Sequence, residues 1–236
     1  QDSGFLFVDH GNFKIKIYGV DFQSQDYVTF SKRPWNACTL TDTEVAVTIP
    51  KQRTIQIIKI TPTIQKIRKI RTRLECWGIA ALREQLVIST WKDKHCIQIL
   101  DRAGREHFER QIVSESEQLI KPRRLAKNVL KEMMYVSDEK GEKLVAYNSS
   151  WVVQFTYKDQ YIKTLSGLDT DKEGNIYLCG YGSKCVQQIS GDGKLIKIII
   201  SQKLENKPLA IRFYREINRF LLTYGNYDVV EIYDLC

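Results

Sequence analysis

The chain of 236 residues has little of what would place it in a membrane, in a secretory route or in a disulfide-rich class. No stretch approaches the roughly 18 consecutive apolar residues of a membrane-spanning helix. Residues 1–10 have neither the basic start nor the apolar stretch of a secretory signal. Six cysteines are present, but no two form a Cys-x-x-Cys pair. We therefore expect a cytoplasmic protein with free thiols and no contact with a membrane.

Signatures of common enzymes are also missing. The sequence has no Gly-x-Ser-x-Gly, no His-Glu-x-x-His and no Gly-x-x-x-x-Gly-Lys segment. It contains only three histidines, His10, His95 and His107, too few for a histidine-based metal site or general base without an improbable convergence. We expect these histidines on turns or on an outer strand. The sequence thus predicts no catalytic residue, no metal, no cofactor and no small-molecule substrate.

Two short segments resemble ligand loops but fit turns better. Residues 169–174, Asp-Thr-Asp-Lys-Glu-Gly, match the first half of a calcium loop, yet position twelve is Gly180, where a bidentate glutamate is needed. Residues 191–194, Gly-Asp-Gly-Lys, lie between two apolar runs and are not followed by a helix that could bind phosphate. Both are expected to be hairpin turns.

Basic residues are in excess. The sequence has 36 Lys and Arg against 28 Asp and Glu, a formal net charge of +8 and a pI near 9.1. This balance favours an anionic partner, either nucleic acid or an acidic protein.

An internal repeat sets the predicted architecture. Five similar apolar stretches recur at intervals of 42 to 46 residues and can be registered on Trp35, Trp77, Arg123, Ser166 and Leu209. Such a period suits either propeller blades or paired helices. Each marker is followed by runs of four to eight residues rich in Val, Ile, Tyr and Phe, separated by Gly, Asn and Asp turns. The pattern therefore predicts an all-β, six-bladed β-propeller of four-stranded antiparallel blades, with strands labelled A to D from the inside outward.

The first and last blades are predicted to be incomplete. Residues 5–21 match the B and C strands of a blade, with Asp9 and Tyr18 in the places of Asp138 and Tyr147. Blade one thus lacks strand A and blade six lacks strand D, and we expect a longer natural chain to continue upstream of Gln1. We predict a single domain over residues 1–236, with blades at about 1–31, 32–73, 74–119, 120–162, 163–204 and 205–236.

The repeat resembles the NHL-repeat propellers of tripartite-motif proteins, in particular the invertebrate type. The resemblance lies in units such as VDHGNFKIKIYGVD, VSDEKGEKLVAYN and TYGNYDVVEIYDL and in the entries RPWNACTL and ECWGIAAL. It runs through essentially the whole chain, although the second and third blades depart from the family's B–C turn. It implies a non-enzymatic recognition domain of a RING-type ubiquitin ligase, which binds a protein substrate. The alternative is a single-stranded RNA-binding domain, and a third hypothesis is a propeller enzyme of the lactonase kind.

The connections from D to A and from B to C are expected on one rim of the propeller. Residues there combine cations with aromatic rings, as in protein hot spots and in single-stranded RNA sites. We predict that the partner-binding rim comprises Arg33, Trp35, Arg73, Trp77, Trp91, Lys121, Arg123, Arg124, Tyr181, Lys207 and Tyr224, with Lys32, Lys163, Ser166, Leu209 and Tyr227 beside them. Trp35 and Trp77 could instead pack between blades.

Residues 51–73 carry eight basic residues and no acidic one. One interpretation is an outer edge strand that its cations protect from aggregation. The other is a basic strip for an anion such as RNA, comprising Lys66, Arg68, Lys69 and Arg71. Ile64, Ile67 and Ile70 also fit a short helix.

Overall fold

The computed structural model describes residues 4–61, 63–92, 94–103, 106–110, 118–128, 130–200, 206–214, 218–225 and 227–235. The described residues form strands, turns and one turn of 3-10 helix, Pro50–Gln52, and contain no α-helix. None of them belongs to a helix with the length and apolar character that a membrane crossing requires. The prediction of a free thiol at Cys236 and the predictions on the side chains of His107 and Tyr227 lie outside what the structure describes.

The chain divides into two compact units, residues 1–111 and residues 112–236, and each contains three antiparallel sheets. In the first unit, sheet 1 contains β1 (Phe5–Asp9), β2 (Lys14–Tyr18) and β3 (Ser24–Thr29). Sheet 2 contains β4 (Ala37–Thr39), β5 (Glu44–Ile49), β6 (Thr54–Lys59) and β7 (Gln65–Arg71). Sheet 3 contains β8 (Ile79–Leu82), β9 (Gln85–Thr90), β10 (Cys96–Asp101) and β11 (Glu106–Arg110).

In the second unit, sheet 4 contains β12 (Pro122–Asn128), β13 (Met133–Asp138), β14 (Lys143–Tyr147) and β15 (Val153–Tyr157). Sheet 5 contains β16 (Leu165–Thr170), β17 (Ile176–Gly180), β18 (Cys185–Ile189) and β19 (Leu195–Ile200). Sheet 6 contains β20 (Pro208–Tyr214), β21 (Arg219–Tyr224) and β22 (Tyr227–Asp234).

Neighbouring strands along the chain pair in every sheet, as the repeat predicts. In the four-stranded sheets the middle strands are deeply buried, and β13 and β17 are buried throughout. Four sheets have four strands in A-to-D order, while sheets 1 and 6 have three. The prediction of incomplete first and last blades is thereby confirmed for the described residues.

The alternative of a short helix at Ile64, Ile67 and Ile70 is wrong. Residues 65–71 form β7, the outer strand of sheet 2, which pairs with β6. Both loop-like segments are hairpin turns as expected: residues 171–175 join β16 to β17, and residues 190–194 join β18 to β19.

Hydroxyl groups on the B strands connect adjacent sheets within each unit. Thr48 Oγ1 on β5 donates to the carbonyl oxygen of Trp77 (2.8 Å), and Ser137 Oγ on β13 donates to that of Ser166 (3.0 Å). Each hydroxyl is the fifth residue of its strand, so the same contact recurs in the repeat. These bonds fix where the following A strand begins.

Substitution of Thr48 by valine should lower the free energy of unfolding by about 1–2 kcal/mol. Valine has nearly the same shape, but it cannot donate to the Trp77 carbonyl or accept from the Asn36 amide (3.1 Å). Urea unfolding followed by circular dichroism measures the change. The matched control is Thr39→Val on an exposed position of β4, where we expect less than about 0.5 kcal/mol; equal losses in both variants would contradict the role of the Thr48 hydroxyl.

A left-handed residue stands immediately before the C strand in four sheets. Phe13, Arg53, Glu142 and Lys184 have φ of 59°, 50°, 46° and 51°, and each directly precedes the first residue of β2, β6, β14 or β18. None is a glycine, although glycine adopts this conformation most readily. The conformation turns the chain sharply into the next strand.

An aspartate ends strand B in sheets 1 and 4, and the predicted equivalence of Asp9 with Asp138 is confirmed. Asp9 accepts hydrogen bonds from the Asn12 amide (3.0 Å) and from Lys16 Nζ (2.6 Å). Asp138 is fully buried and accepts three backbone amides, those of Ile120 (2.8 Å), Lys121 (2.7 Å) and Gly141 (3.1 Å). Each carboxylate holds the turn that follows it, and Asp138 also holds the chain that enters β12.

Stability should depend on pH through Asp9 between about pH 4 and pH 2. Burial alone would raise the pKa of Asp9, but hydrogen bonds from Lys16 and Asn12 lower it to about 2. Because the folded-state value lies below the unfolded one, the contribution is present above pH 4 and is lost as the pH falls toward 2. Because solvent screens this partly exposed site, we expect Asp9→Asn to be less stable than the wild type by about 1 kcal/mol at pH 6, and the gap to narrow as the pH falls to 2. Thermal melts across this range measure the difference, and a gap that does not narrow with acid would contradict the assignment.

Candidate partner-binding site

The first unit contains a row of four aromatic rings on the predicted rim. The His10 ring is tilted against Trp35, Trp35 meets Trp77 edge to face, and Trp77 lies against Trp91, with ring centroids 4.5, 4.7 and 4.7 Å apart. Trp35 and Trp77 lie on D–A connections, while His10 and Trp91 follow B strands. The two kinds of connection therefore meet on one rim of this unit. We call these four residues the aromatic row.

Backbone hydrogen bonds hold the row in place. The Trp35 amide donates to the carbonyl oxygen of Thr48 (2.8 Å), and the Trp77 amide donates to that of Ser89 (2.9 Å). Trp77 is 9% exposed, whereas Trp35 and Trp91 are partly exposed. Trp77 thus packs in the row and supports the two rings at its sides, which offer the accessible surface.

Two predicted rim cations of the first unit, Arg33 and Arg73, lie on the same connections as Trp35 and Trp77. Arg33 and Arg73 are exposed, and the Arg33 guanidinium lies over the Phe13 ring at 5.5 Å. Glu75, 9% exposed, receives Lys51 (3.6 Å) and Lys92 (3.4 Å). Sequence reasoning named neither His10 nor Glu75 as part of the site, because an aromatic contact and an ion pair between connections leave no local signal.

In the second unit, a carboxylate neutralises two of the predicted rim cations. Glu139 binds Lys121 (2.7 Å) and Arg123, and all three side chains are mostly buried. Although burial opposes it, these hydrogen bonds and charges lower the pKa of Glu139, so it is ionised at neutral pH. Sequence reasoning missed Glu139, which follows Asp138 in a turn and had no apparent partner. Lys121 and Arg123 are therefore less available to an anion than predicted.

Arg124 lies in a group of arginines. Burial and the charges of Arg123 and Arg212 lower the pKa of Arg124 to about 9, so it stays protonated at pH 7. Arg212, on β20 and 55% exposed, contacts the buried Asp169 at 3.5 Å. Asp169 is held by the amides of Thr170 (2.9 Å) and Phe213 (3.0 Å). Arg212 was not among the predicted rim residues, but the structure brings it close to Arg124.

The remaining rim predictions divide into accessible and buried side chains. Lys207 is exposed and lies over the Tyr181 ring at 5.2 Å. The prediction that Tyr224 lies accessible on the rim is corrected, because its side chain is only 4% exposed. Its hydroxyl is hydrogen-bonded to Glu231 and lies 3.2 Å from the hydroxyl of Tyr233. Its ring belongs to the core of the second unit. Ser166 is likewise buried, and its hydroxyl donates to the Pro208 carbonyl (2.9 Å).

The basic strip lies on β7. Lys66, Arg68, Lys69 and Arg71 are all exposed, while Ile70 between them is 4% exposed and packs in the core with Ile55 and Ile57. Lys66 Nζ donates to the Thr29 carbonyl (2.5 Å), and Arg68 donates to that of Arg102 (2.6 Å). Lys66 and Arg68 are thus each engaged with a backbone carbonyl of a neighbouring sheet.

Within the described residues, no group of three or more His, Cys, Asp or Glu side chains is arranged to hold a metal ion. The five described cysteines, Cys38, Cys76, Cys96, Cys179 and Cys185, are free thiols. Burial raises the pKa of Cys76 to about 11, which makes it a weak nucleophile at neutral pH.

Comparison with known proteins shows likeness in structure. The chain matches no family model and no curated protein sequence. It is similar to a functionally unknown protein from Desulfotomaculum acetoxidans (TM-score 0.74, 9% identity, 99% of this chain and 76% of that chain). It is also similar to the β-propeller domain of Cps50 (Swd1) from Myceliophteria thermophila (TM-score 0.73, 11% identity, 99% and 80%). A third similar structure is virginiamycin B lyase from Staphylococcus aureus (TM-score 0.71, 11% identity, 100% and 82%).

At such identities the likeness shows the fold and nothing finer. Six antiparallel sheets of three or four strands match propeller structures, and six blades fit. The chain has a β-propeller fold.

Proposed function

We propose that this chain is a non-enzymatic recognition domain that binds a partner protein, and that the partner is a substrate of a tripartite-motif ubiquitin ligase. The aromatic row carries this proposal. Tryptophan is enriched at the energetic centres of protein interfaces, and these rings are already ordered by one another before a partner arrives. The resemblance of the repeat to NHL propellers supports the ligase context.

The test is whether the domain loses a bound partner protein when its accessible rings are truncated. The purified domain, immobilised and treated with ribonuclease, is used to capture proteins from a cell extract that are then identified by mass spectrometry. A true partner should bind the wild type and the Trp151→Ala control, and should be lost with Trp35→Ala/Trp91→Ala. Trp151 is a suitable control because it is also partly exposed but belongs to the second unit, where it packs near Tyr147 (6.2 Å), and is not a member of the row. Equal capture by the two variants would contradict the proposal.

The ligase context needs a separate readout. The partner found by capture is co-expressed with the full natural chain and its ubiquitylation is measured. We expect ubiquitylation to fall with Trp35→Ala/Trp91→Ala and to persist with Trp151→Ala. A partner that binds through the row but is never ubiquitylated would contradict the ligase part of the proposal alone.

Single-stranded RNA is the second candidate, favoured by the second unit. Lys207 over Tyr181 combines a cation with a ring on which a base could stack, and Arg124, Arg123 and Arg212 bring positive charge together. Each stacked base would contribute roughly 1–3 kcal/mol. If RNA is the ligand, Glu139→Gln should raise the affinity for a uridine hexanucleotide, because it frees Lys121 and Arg123, and should steepen the salt dependence. Binding indifferent to both Glu139→Gln and salt would exclude RNA at these residues.

A propeller enzyme is the third candidate, and it is not proposed. One of the similar structures is named a lyase, and that name describes the similar protein alone. A divalent ion held in this chain by three or more side chains would reopen the enzyme hypothesis.

A further inference from the structure

A small pocket of about 280 Å³ lies between sheets 4 and 5 of the second unit. Its walls come from the A–B turn of sheet 4, the start of β13, the outer strand β15 and the C–D turn of sheet 5. The described residues that line it are Lys131, Met133, Gln154, Phe155, Gly191 and Asp192. None of them belongs to the predicted partner-binding rim. The pocket is therefore a second candidate site.

Two of the lining side chains are apolar and firmly placed. Met133 is 8% exposed and belongs to the core cluster that joins sheets 4 and 5, and Phe155 packs against the same cluster. One face of the Phe155 ring meets Gly193, where an added Cβ atom would lie 2.5 Å from a ring carbon. Gly193 also has a φ of 88°, so a glycine is required beside the ring. Met133 and Phe155 thus offer a fixed apolar surface.

Lys131 gives the pocket a positive charge. Its Nζ lies 2.8 Å from the position that a Cβ atom of Gly191 would take, so the glycine leaves room for the ammonium group. The backbone of Lys131 is fixed, because its amide donates to Oδ1 of the buried Asn128 (3.1 Å). Within the described ranges of the chain, Lys131 forms no ion pair. Its charge is therefore open to a ligand.

The acid in the lining is already engaged. Asp192 forms an ion pair with Lys194 (3.1 Å) and accepts a hydrogen bond from the Ser190 hydroxyl. These contacts hold the turn at residues 190–194 and offset the negative charge of Asp192. The pocket thus combines one free cation with an apolar surface, and this combination suits a carboxylate that is attached to an apolar group.

The size of the pocket limits the ligand to about one amino-acid residue. Pockets for small-molecule ligands are generally about 300–1,000 Å³, and this pocket lies just below that range. A phosphoryl group carries up to about two negative charges and three acceptor oxygens, more than a single lysine satisfies. RNA bases stack on open ring faces, whereas Gly193 covers one face of Phe155. A free amino acid brings an ammonium group, for which the acid of the lining is already paired.

We propose that this pocket binds the C-terminal residue of the partner protein. The α-carboxylate binds Lys131, and an apolar last side chain lies against Met133 and Phe155. A chain end meets the size limit because only one residue has to enter, and an internal residue has no free α-carboxylate. The inference rests on the proposed function, since it specifies which part of the protein partner the second unit recognises.

The test uses the acetylated peptide Ala-Ala-Ala-Leu with a free C-terminal carboxylate and the same peptide with a C-terminal amide. Amide chemical shifts of the labelled domain report the affinity and the position of binding. We expect the acid form to shift Lys131, Gln154, Gly191 and Asp192, and the amide form to bind about tenfold more weakly. Lys131→Gln should weaken the acid form about tenfold and leave the amide form within about twofold, because the lysine acts on the carboxylate alone.

The matched control is Lys140→Gln, which removes the same charge from an exposed turn at the other end of β13. We expect it to change binding by less than about twofold. Equal losses in the two lysine variants would show diffuse attraction and overturn the pocket as a site. Equal affinities of the acid and amide forms would also overturn it, as would the absence of saturable shifts at several millimolar peptide.

Two other ligands are measured in the same way. Free leucine that binds as tightly as the acid peptide would assign the pocket to a small molecule and overturn the proposal. A uridine hexanucleotide that binds more tightly than the peptide, and is lost with Lys131→Gln, would assign the pocket to RNA and overturn it too.

The two proposals fail separately. Trp35→Ala/Trp91→Ala should not change peptide binding, because neither ring lines the pocket. If the aromatic variant loses its captured partner while the acid and amide peptides bind equally, this inference alone is wrong. If the peptides behave as expected but the aromatic variant loses no partner, the role of the aromatic row alone is wrong.

Discussion

Replacing Asp138 with alanine is expected to lower the free energy of unfolding by about 3 kcal/mol or more. The carboxylate is fully buried and accepts the backbone amides of Ile120, Lys121 and Gly141. Alanine leaves these donors without their acceptor, and each buried unsatisfied donor costs about 1–3 kcal/mol. Urea unfolding followed by circular dichroism should show a much lower midpoint.

Two comparisons separate this network from a general effect of removing an acid. Asp42→Ala removes an exposed aspartate from a turn, and we expect a change within about 0.5 kcal/mol. Asp138→Asn keeps one acceptor oxygen and should give an intermediate loss. A midpoint for Asp138→Ala equal to that of Asp42→Ala would show that the three amides do not depend on Asp138.

Replacing Trp77 with alanine should cost about 3–5 kcal/mol, the range for removing a large buried aromatic side chain. Trp77 is 9% exposed and contacts Trp35 and Trp91, each with centroids 4.7 Å away, so its loss leaves a cavity and removes support from both. Guanidinium unfolding followed by far-ultraviolet circular dichroism measures the loss without relying on tryptophan fluorescence.

Trp77→Phe keeps an aromatic ring and should recover a large part of the loss. The control is Trp151→Ala, for which we expect a clearly smaller change since that ring is partly exposed and has one described ring neighbour, at 6.2 Å. Equal destabilisation by Trp77→Ala and Trp151→Ala would contradict a structural role for the row.

Much of the fold could be predicted because each repeat contains the same pattern of strands and turns. The B strands stand out as apolar runs, and EVAVTI, QLVIST and MMYVSD coincide with β5, β9 and β13. Each run is bounded by turn residues, and the same order of runs recurs about every 43 residues, so a single ambiguous segment is corrected by its equivalents. The segment at residues 64–70, where isoleucines suggested a helix, is an example: the repeat requires an outer strand there, and the structure has one.

The candidate site was less predictable, because its members meet across connections. The rim position of Trp35, Trp77 and Trp91 followed from the register of the repeat, but their contact with one another and with His10 did not. Tyr224 was expected to be accessible on the rim, but it is buried against Glu231 and Tyr233 at the end of β21. Glu139 was missed since its partners lie 16 and 18 residues earlier in the chain. Register predicts which residues share an edge, while side-chain packing decides which remain accessible.

The four left-handed residues before the C strands have a consequence for engineering the domain. A non-glycine residue held in this conformation costs on the order of 1 kcal/mol, so the wild-type sequence forgoes stability at the same corner of four separate sheets. A designer could recover that energy with glycine at Lys184, where the side chain lines no described cavity. At Arg53 the same exchange would also remove one of the eight basic residues of residues 51–73, so the two corners differ in which part of the chain loses a positive charge.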